Sequence, residues 1–302
     1  MIEIRHAKRS SFISRKSFGC GSGPEQIICP PFWQGVPLAV GCPLGCSYCY
    51  LKLTLRHRKG RILVYNNPED LLIQLKEFAK HHPGAVVNFG ETADSIAMDE
   101  ETVFLRLLRE AMSQLKEQGL DLHPLLITKL YYPLPGISKD PDGTIFCWSV
   151  TSHKVHKAYE NMASSSPADR LSNAHAVKRR GHRVRIRIDP IVPLAEESYG
   201  SYIDTIEMIK WLKPERVTLG TPRFFKGWAN FADDIGKELY DMTRADGADG
   251  RRRLPFMQRL GIYRSFRDAL MDHCPVALCK ETRAMWQAVG LDWRRPKCNC
   301  MK

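Results

Sequence analysis

A chain of 302 residues with 43% hydrophobic content can bury a sizeable core, yet its longest apolar stretches are strand-length, which excludes a membrane span. Forty-five Lys and Arg against 33 Asp and Glu give a formal net charge of +12, the balance expected of a protein that meets polyanions. The opening Met1-Ile2-Glu3-Ile4-Arg5 lacks the apolar stretch of a signal peptide, so a cytoplasmic protein is expected; there, ten cysteines point to metal or redox chemistry rather than disulfides.

In chain order, residues 1–35 are basic and rich in Ser and Gly, and read as a loosely ordered arm with few core positions. From Val36 a strand–helix alternation begins. Apolar runs predict buried strands at Leu38–Val40, Ala85–Glu91, Pro124–Lys129, Thr144–Thr151, Arg183–Val192 and Arg216–Thr221. Helical periodicity falls between them, at Pro68–His81, Glu100–Gln118, Ala168–Arg180 and Tyr199–Leu212, with Gly181 placed to stop the third. Six strands alternating with helices predict an α/β fold, a partial (β/α)6 barrel over 36–223. Residues 224–302 read as a helical C-terminal extension that turns Cys-rich at its end. In such a barrel the reactive groups gather at the C-terminal ends of strands, where this chain carries Cys42, Glu91, Lys129, Ser149 and Asp189.

The segment Gly41-Cys42-Pro43-Leu44-Gly45-Cys46-Ser47-Tyr48-Cys49-Tyr50 holds three thiols within eight residues of a Gly-bearing loop. Three thiolates can wrap one face of an iron–sulfur cubane and leave one iron open, as a catalytic site requires. A structural zinc wants four ligands, and no His stands nearby at suitable spacing.

This motif resembles the signature of radical S-adenosylmethionine enzymes. That resemblance implies a [4Fe–4S] cluster on Cys42, Cys46 and Cys49, S-adenosyl-L-methionine at the open iron, and an electron donor such as flavodoxin or ferredoxin. Phe89-Gly90-Glu91 is similar to the family segment that contacts the methionine amino group. Further stretches resemble the spore photoproduct lyase family: Cys49-Tyr50-Leu51, Gly90 to Ser95, Thr128-Lys129, Trp148-Ser149-Val150, and Arg170 to Pro193. By position, Tyr48, Lys129 and Ser149 would then contact the adenine, carboxylate and ribose of the cofactor. The family's lyases carry after strand two a Cys that returns a hydrogen atom to the product radical. No Cys occurs from Gly90 to Ser95, and Ala93 stands in its place, so the expectation is a lyase-like enzyme rather than the lyase itself.

Alternation along Arg183-Val184-Arg185-Ile186-Arg187-Ile188-Asp189 puts Arg185, Arg187 and Asp189 on one face. Facing the barrel interior, Arg187 and Asp189 join the expected cofactor-binding set; on an edge strand the same face would lie in water. Cys147 shares a face with Ser149 and reads either as a substitute hydrogen donor or as a small buried hydrophobe. Tyr131 and Tyr132 read either as stacking surfaces at a substrate mouth or as rim packing. Near the end, Cys274, Cys279, Cys298 and Cys300 suit a second [4Fe–4S] cluster, a zinc ion, or free thiols. Basic runs at Arg5–Lys16, Arg56–Arg61, Lys178–Arg180 and Arg251–Arg253 suit a nucleic acid or other phosphorylated substrate, or are solvated faces. Three functions therefore compete: a radical enzyme on nucleic acid or nucleotide, a radical enzyme on a peptide or small metabolite, and a non-catalytic metal-binding protein that binds nucleic acid.

Overall fold

A computed structural model describes residues 3–58, 60–132, 137, 141–160, 162–194 and 199–302. Its main sheet has eight strands: β1 (Ile13–Lys16), β2 (Phe32–Gly35), β3 (Ala85–Asn88), β4 (Leu122–Thr128), β5 (Ile145–Ser149), β6 (Arg183–Ile188), β7 (Val217–Leu219) and β8 (Val276–Leu278). They lie side by side in chain order, and every neighbouring pair from β2 to β8 is parallel, while β1 runs antiparallel to β2. This curled, mostly parallel sheet is a partial barrel, as the strand–helix alternation predicts. Strand β5 is buried along its whole length, because helices cover one face and the barrel lumen closes the other.

The helices stand where periodicity puts them. Helix Pro68–His81 buries Leu71, Leu75 and Ala79, one residue per turn, and each fully buried Leu contributes about 2 kcal/mol. Helix Pro167–Arg179 starts on Ser166, whose side chain accepts from the Asp169 amide, and stops before Gly181 at φ +86. The helix expected over 100–118 is broken. Val103 takes φ 47 between Asp99–Thr102 and Phe104–Glu117, and the Asp99 carboxylate accepts the Leu105 amide at 2.7 Å to cap the second piece.

Three further expectations change. The strand expected at Leu38–Val40 is Ala39–Val40, and it belongs to a separate three-stranded sheet with Ile62–Tyr65 and Ile4–Ala7. Pro37 lacks an amide donor and Leu38 bends at φ 55, so the chain leaves the main sheet there, and β2 takes the expected place beside β3. The N-terminal segment is not a loose arm with few core positions: Phe12, Ile27, Ile28 and Phe32 are buried, and β1 and β2 complete one edge of the main sheet. The extension after 223 is not helical alone. Strand β8 pairs with β7, and Trp228, Tyr263, Phe266 and Trp286 are among the most buried side chains. Among the described residues, no helix is long and apolar enough to cross a membrane.

Candidate active site

A cavity opens at the C-terminal ends of the strands, bordered by Cys42, Cys46, Cys49, Tyr48 and Tyr50 on one side. Gly90, Glu91, Ala93, Asp94, Lys129, Ser149, Arg187, Asp189, Arg223, Arg251 and Lys280 also border it. The thiols ride on the loop that follows Ala39–Val40. Its Gly41 adopts φ +109 and lies against the backbone of Ile62, a combination that only a residue without a side chain accepts easily. The loop is braced from both sides. Gly41 and Ser47 donate their amides to Thr92 O (2.9 Å) and Tyr159 O (2.7 Å), while the Trp228 indole donates to Cys49 O at 3.0 Å. Lys52 and Asp233 add an ion pair at 2.8 Å.

The three thiols fit a cluster in one respect that geometry tests: all border one space. Among the described residues no three His, Cys, Asp or Glu side chains close on a single ion. A cubane differs, since each of its irons takes its own thiolate and the sulfurs need only surround a shared volume.

Opposite the thiols, Gly90 follows β3 so closely that a Cβ there would lie 2.5 Å from the Ile127 Cβ on β4. Its amide donates to Asn88 Oδ1 at 2.8 Å, and Asn88 Nδ2 donates to the buried Glu91 carboxylate at 3.1 Å. Burial alone would raise the Glu91 pKa, but Lys280 (3.4 Å) and Arg187 (4.0 Å) outweigh it and hold the carboxyl below the usual range. Asp189 is nearly buried, which by itself would raise its carboxyl, and yet is held at about 2, because Arg223 grips it with two hydrogen bonds of 2.9 and 2.8 Å and Arg187 stands 3.3 Å away. Arg185 and Arg187 therefore face the lumen, as one of the two readings of their strand holds. Arg185 is fully buried and pairs with Glu215, which excludes the edge strand.

Lys129 borders the cavity, but its ammonium is engaged. It reaches Glu160 at 2.7 Å and the Tyr48 hydroxyl at 2.9 Å, and Tyr48 itself donates to Glu160. Glu160 is fully buried and also meets His156 (3.0 Å), Ser164 (2.9 Å) and Arg170. Burial would raise its pKa; Lys129, His156 and Arg170 instead hold it well below the carboxylate range. Sequence reading missed this network. The signal was the four-residue spacing of His156 and Glu160, a helical pair. It also missed Arg223 and Lys280, which follow β7 and β8; Arg251, singled out only within a basic run, directly precedes the Arg252–Arg253 strand of a small sheet with Arg223–Phe224 and Arg244–Ala245.

Other expected site residues stand elsewhere. Tyr131 is half exposed and Tyr132 is buried, and neither borders the cavity. Cys147 lies deeper in the lumen among Val86, Leu125, Ile127 and Ile145, where its sulfur accepts from Asn299 Nδ2 at 3.2 Å. Its setting is that of a small buried hydrophobe, away from the cavity. Ala93, by contrast, borders the cavity.

The four C-terminal thiols are not assembled as expected. Cys274 sits apart, its thiol donating to Leu270 O at 3.8 Å. Cys279 and Cys300 turn to the lumen, accepting from Arg187 Nη2 (3.2 Å) and Asn88 Nδ2 (3.4 Å). Burial pushes the Cys29 thiol up to about 12, with neighbouring Cys279 adding to it and Cys298 contributing further. The basic runs are also partly spent. Arg251 and Arg253 pair with Asp249, Arg252 donates to Thr243, and Lys178 caps the carbonyls of Leu212 and Lys213. Lys59 of the second run lies outside the described residues.

The spore photoproduct lyase family model matches residues 30–265. Spore photoproduct lyases of a Geobacillus species and of Bacillus subtilis are each 29% identical, over 166 and 167 residues. These matches cover 54% of this chain and 47% and 46% of the relatives, so the chain spans about half the length of the curated relatives it matches. Spore photoproduct lyase solved with dinucleoside spore photoproduct superposes with a TM-score of 0.67 at 18% identity, over 91% of this chain and 82% of that one. A variant with bound AdoMet and the same dinucleoside gives 0.64 at 18%, over 90% and 81%. At that identity the structures attest the fold, the partial barrel with its cavity at the strand ends. With the family model spanning most of the sequence, the three-thiol loop and the strand-end carboxylates find their place: the chain belongs to the spore photoproduct lyase family of radical S-adenosylmethionine proteins.

Proposed function

We propose that the protein cleaves S-adenosyl-L-methionine reductively and uses the 5′-deoxyadenosyl radical to take a hydrogen atom from a nucleic acid or nucleotide. The carrying observation is the single cavity that Cys42, Cys46 and Cys49 share with Gly90, Glu91, Ser149, Arg187 and Asp189. A [4Fe–4S] cluster on the three thiols would supply the electron, received from a flavodoxin or ferredoxin in the cytoplasm. Glu91, kept ionised, suits the amino group of the methionine moiety, and the cationic wall of Arg251, Arg223 and Lys280 suits phosphate or carboxylate. Braced by Trp228 and Thr92, the loop presents its sulfurs without having to order on binding. Of the C-terminal thiols, Cys279, Cys298 and Cys300 would take part in holding a second metal group, iron–sulfur or zinc.

Ala93 removes the one thiol that family lyases place here, so hydrogen return to a thymine radical would need another donor. A peptide or small-metabolite substrate is the second reading, favoured by the ion pairing that consumes Arg251 and Arg253. Anaerobic reconstitution tests the first reading. With dithionite, the wild type should release 5′-deoxyadenosine and Cys46→Ala should not; unchanged release by that variant would sink it.

A further inference from the structure

The C-terminal tail runs into the barrel rather than over it. The Asn299 amide donates to Thr218 Oγ1 on β7 at 2.9 Å, and its side chain donates to Ile186 O at 2.8 Å and to the Cys147 sulfur. Arg185 clamps the carbonyls of Asn299 (2.5 Å) and Met301 (2.7 Å), and Arg216 reaches Cys298 O at 3.3 Å. Asn299 thus plugs the lumen and carries Cys298 and Cys300 in with it. Cys279 arrives from another direction, directly after β8, with its amide on Leu219 O at 2.7 Å. Cys29 comes from a third. The strand Ile27–Ile28 pairs antiparallel with Glu281–Thr282, Ile28 opposite Glu281, so Cys29 leaves its strand beside the bend at Cys279 and Lys280, with Cys279 among its charged neighbours.

We propose that Cys29, Cys279, Cys298 and Cys300 together hold a second [4Fe–4S] cluster in the floor of the barrel, and that Cys274 has no part in it. Two features point to an anionic sulfur-rich occupant. Amide and guanidinium N–H groups are aimed at the thiol sulfurs: Arg187 at Cys279 and Asn88 at Cys300, the kind of hydrogen bond that tunes such clusters. Beside them three cations, Arg187, Arg223 and Lys280, share two carboxylates, Glu91 and Asp189, leaving one positive charge in excess where each of these side chains is at most 16% exposed. An iron–sulfur group is favoured over zinc because Cys298 and Cys300, one residue apart, are tight for a tetrahedral ion, whereas a cubane takes its thiolates at separate corners. Four protein ligands leave no iron open, so this group would carry electrons or hold the tail, while the cavity across Glu91 and Arg187 keeps the open site.

Iron and zinc content of anaerobically reconstituted full-length protein tests this. The wild type should carry about eight irons, and a Cys42→Ala, Cys46→Ala, Cys49→Ala variant about four. Adding Cys29→Ser to that triple variant should lower the remaining iron, since one corner loses its thiolate, and adding Cys274→Ser should remove none. Cys298→Ser, in a tail outside the sheet, should act as Cys29→Ser does, which guards against a folding defect at one position. A triple variant without iron, one zinc in place of the iron, or loss with Cys274→Ser but not with Cys29→Ser overturns the proposal. Should the wild type release no 5′-deoxyadenosine while the triple variant keeps about four irons, the radical reading falls and this one stands.

Discussion

Replacing Glu160 by Gln tests the buried network behind Lys129. The carboxylate is fully buried and meets Lys129, His156, Ser164, Arg170 and Tyr48. The amide keeps the shape but removes the charge, and its NH2 must face groups that are themselves donors. Arg170, also fully buried, retains Ser149 O (2.7 Å), Ser165 O (2.8 Å) and Ser164 Oγ (2.7 Å), so its hydrogen bonds are largely met while its charge is not. Breaking a buried pair from one side costs about 3–5 kcal/mol. The lower end applies here, because the Lys129 side chain keeps 16% exposure and can lean toward water. At about 2–4 °C per kcal/mol, the melting temperature should drop by roughly 6–12 °C, read by far-ultraviolet circular dichroism. Adding Arg170→Met should cost less than the two single changes summed, with a coupling of about 1–3 kcal/mol. A shift below about 2 °C, or strictly additive costs, would show that the network does not share one charge balance.

Two further outcomes are expected. Burial would raise the Glu215 carboxyl, but Arg185 and Arg183 hold it at about 2 against the usual 4.5, so its stabilisation is complete above pH 4.5 and is lost as pH falls toward 2. A carboxyl lowered from 4.5 to about 2 caps this at about 3 kcal/mol, and partial exposure makes about 1–2 more realistic; urea midpoints of Glu215→Gln should therefore decline less than wild type between those pH values. If the exposed basic residues neutralise phosphates, single-stranded DNA affinity measured by fluorescence anisotropy should fall roughly tenfold or more between low and physiological salt, and a flat response would favour the peptide or metabolite substrate.

Short-range chemistry was readable from the chain alone. Cys42, Cys46 and Cys49 lie within one loop, so their spacing by itself puts three sulfurs around one volume. Periodicity likewise placed the helices and most parallel strands, and alternation put Arg185 and Arg187 on the lumen face. Strand existence was harder where strands are short: the four residues of Ile13–Lys16 carry too little apolar signal to stand out from a basic segment. What spacing could not supply was any relation set by register between distant segments. Cys29 comes into the neighbourhood of Cys279 because Ile28 pairs with Glu281, and Cys274, five residues before Cys279, is held apart by β8 between them. The same holds for Trp228 beneath Cys49 and for Asn299 in the lumen. Backbone geometry dictates how near residues a few positions apart can come, whereas residues hundreds apart meet only where sheet pairing and core packing bring their segments together.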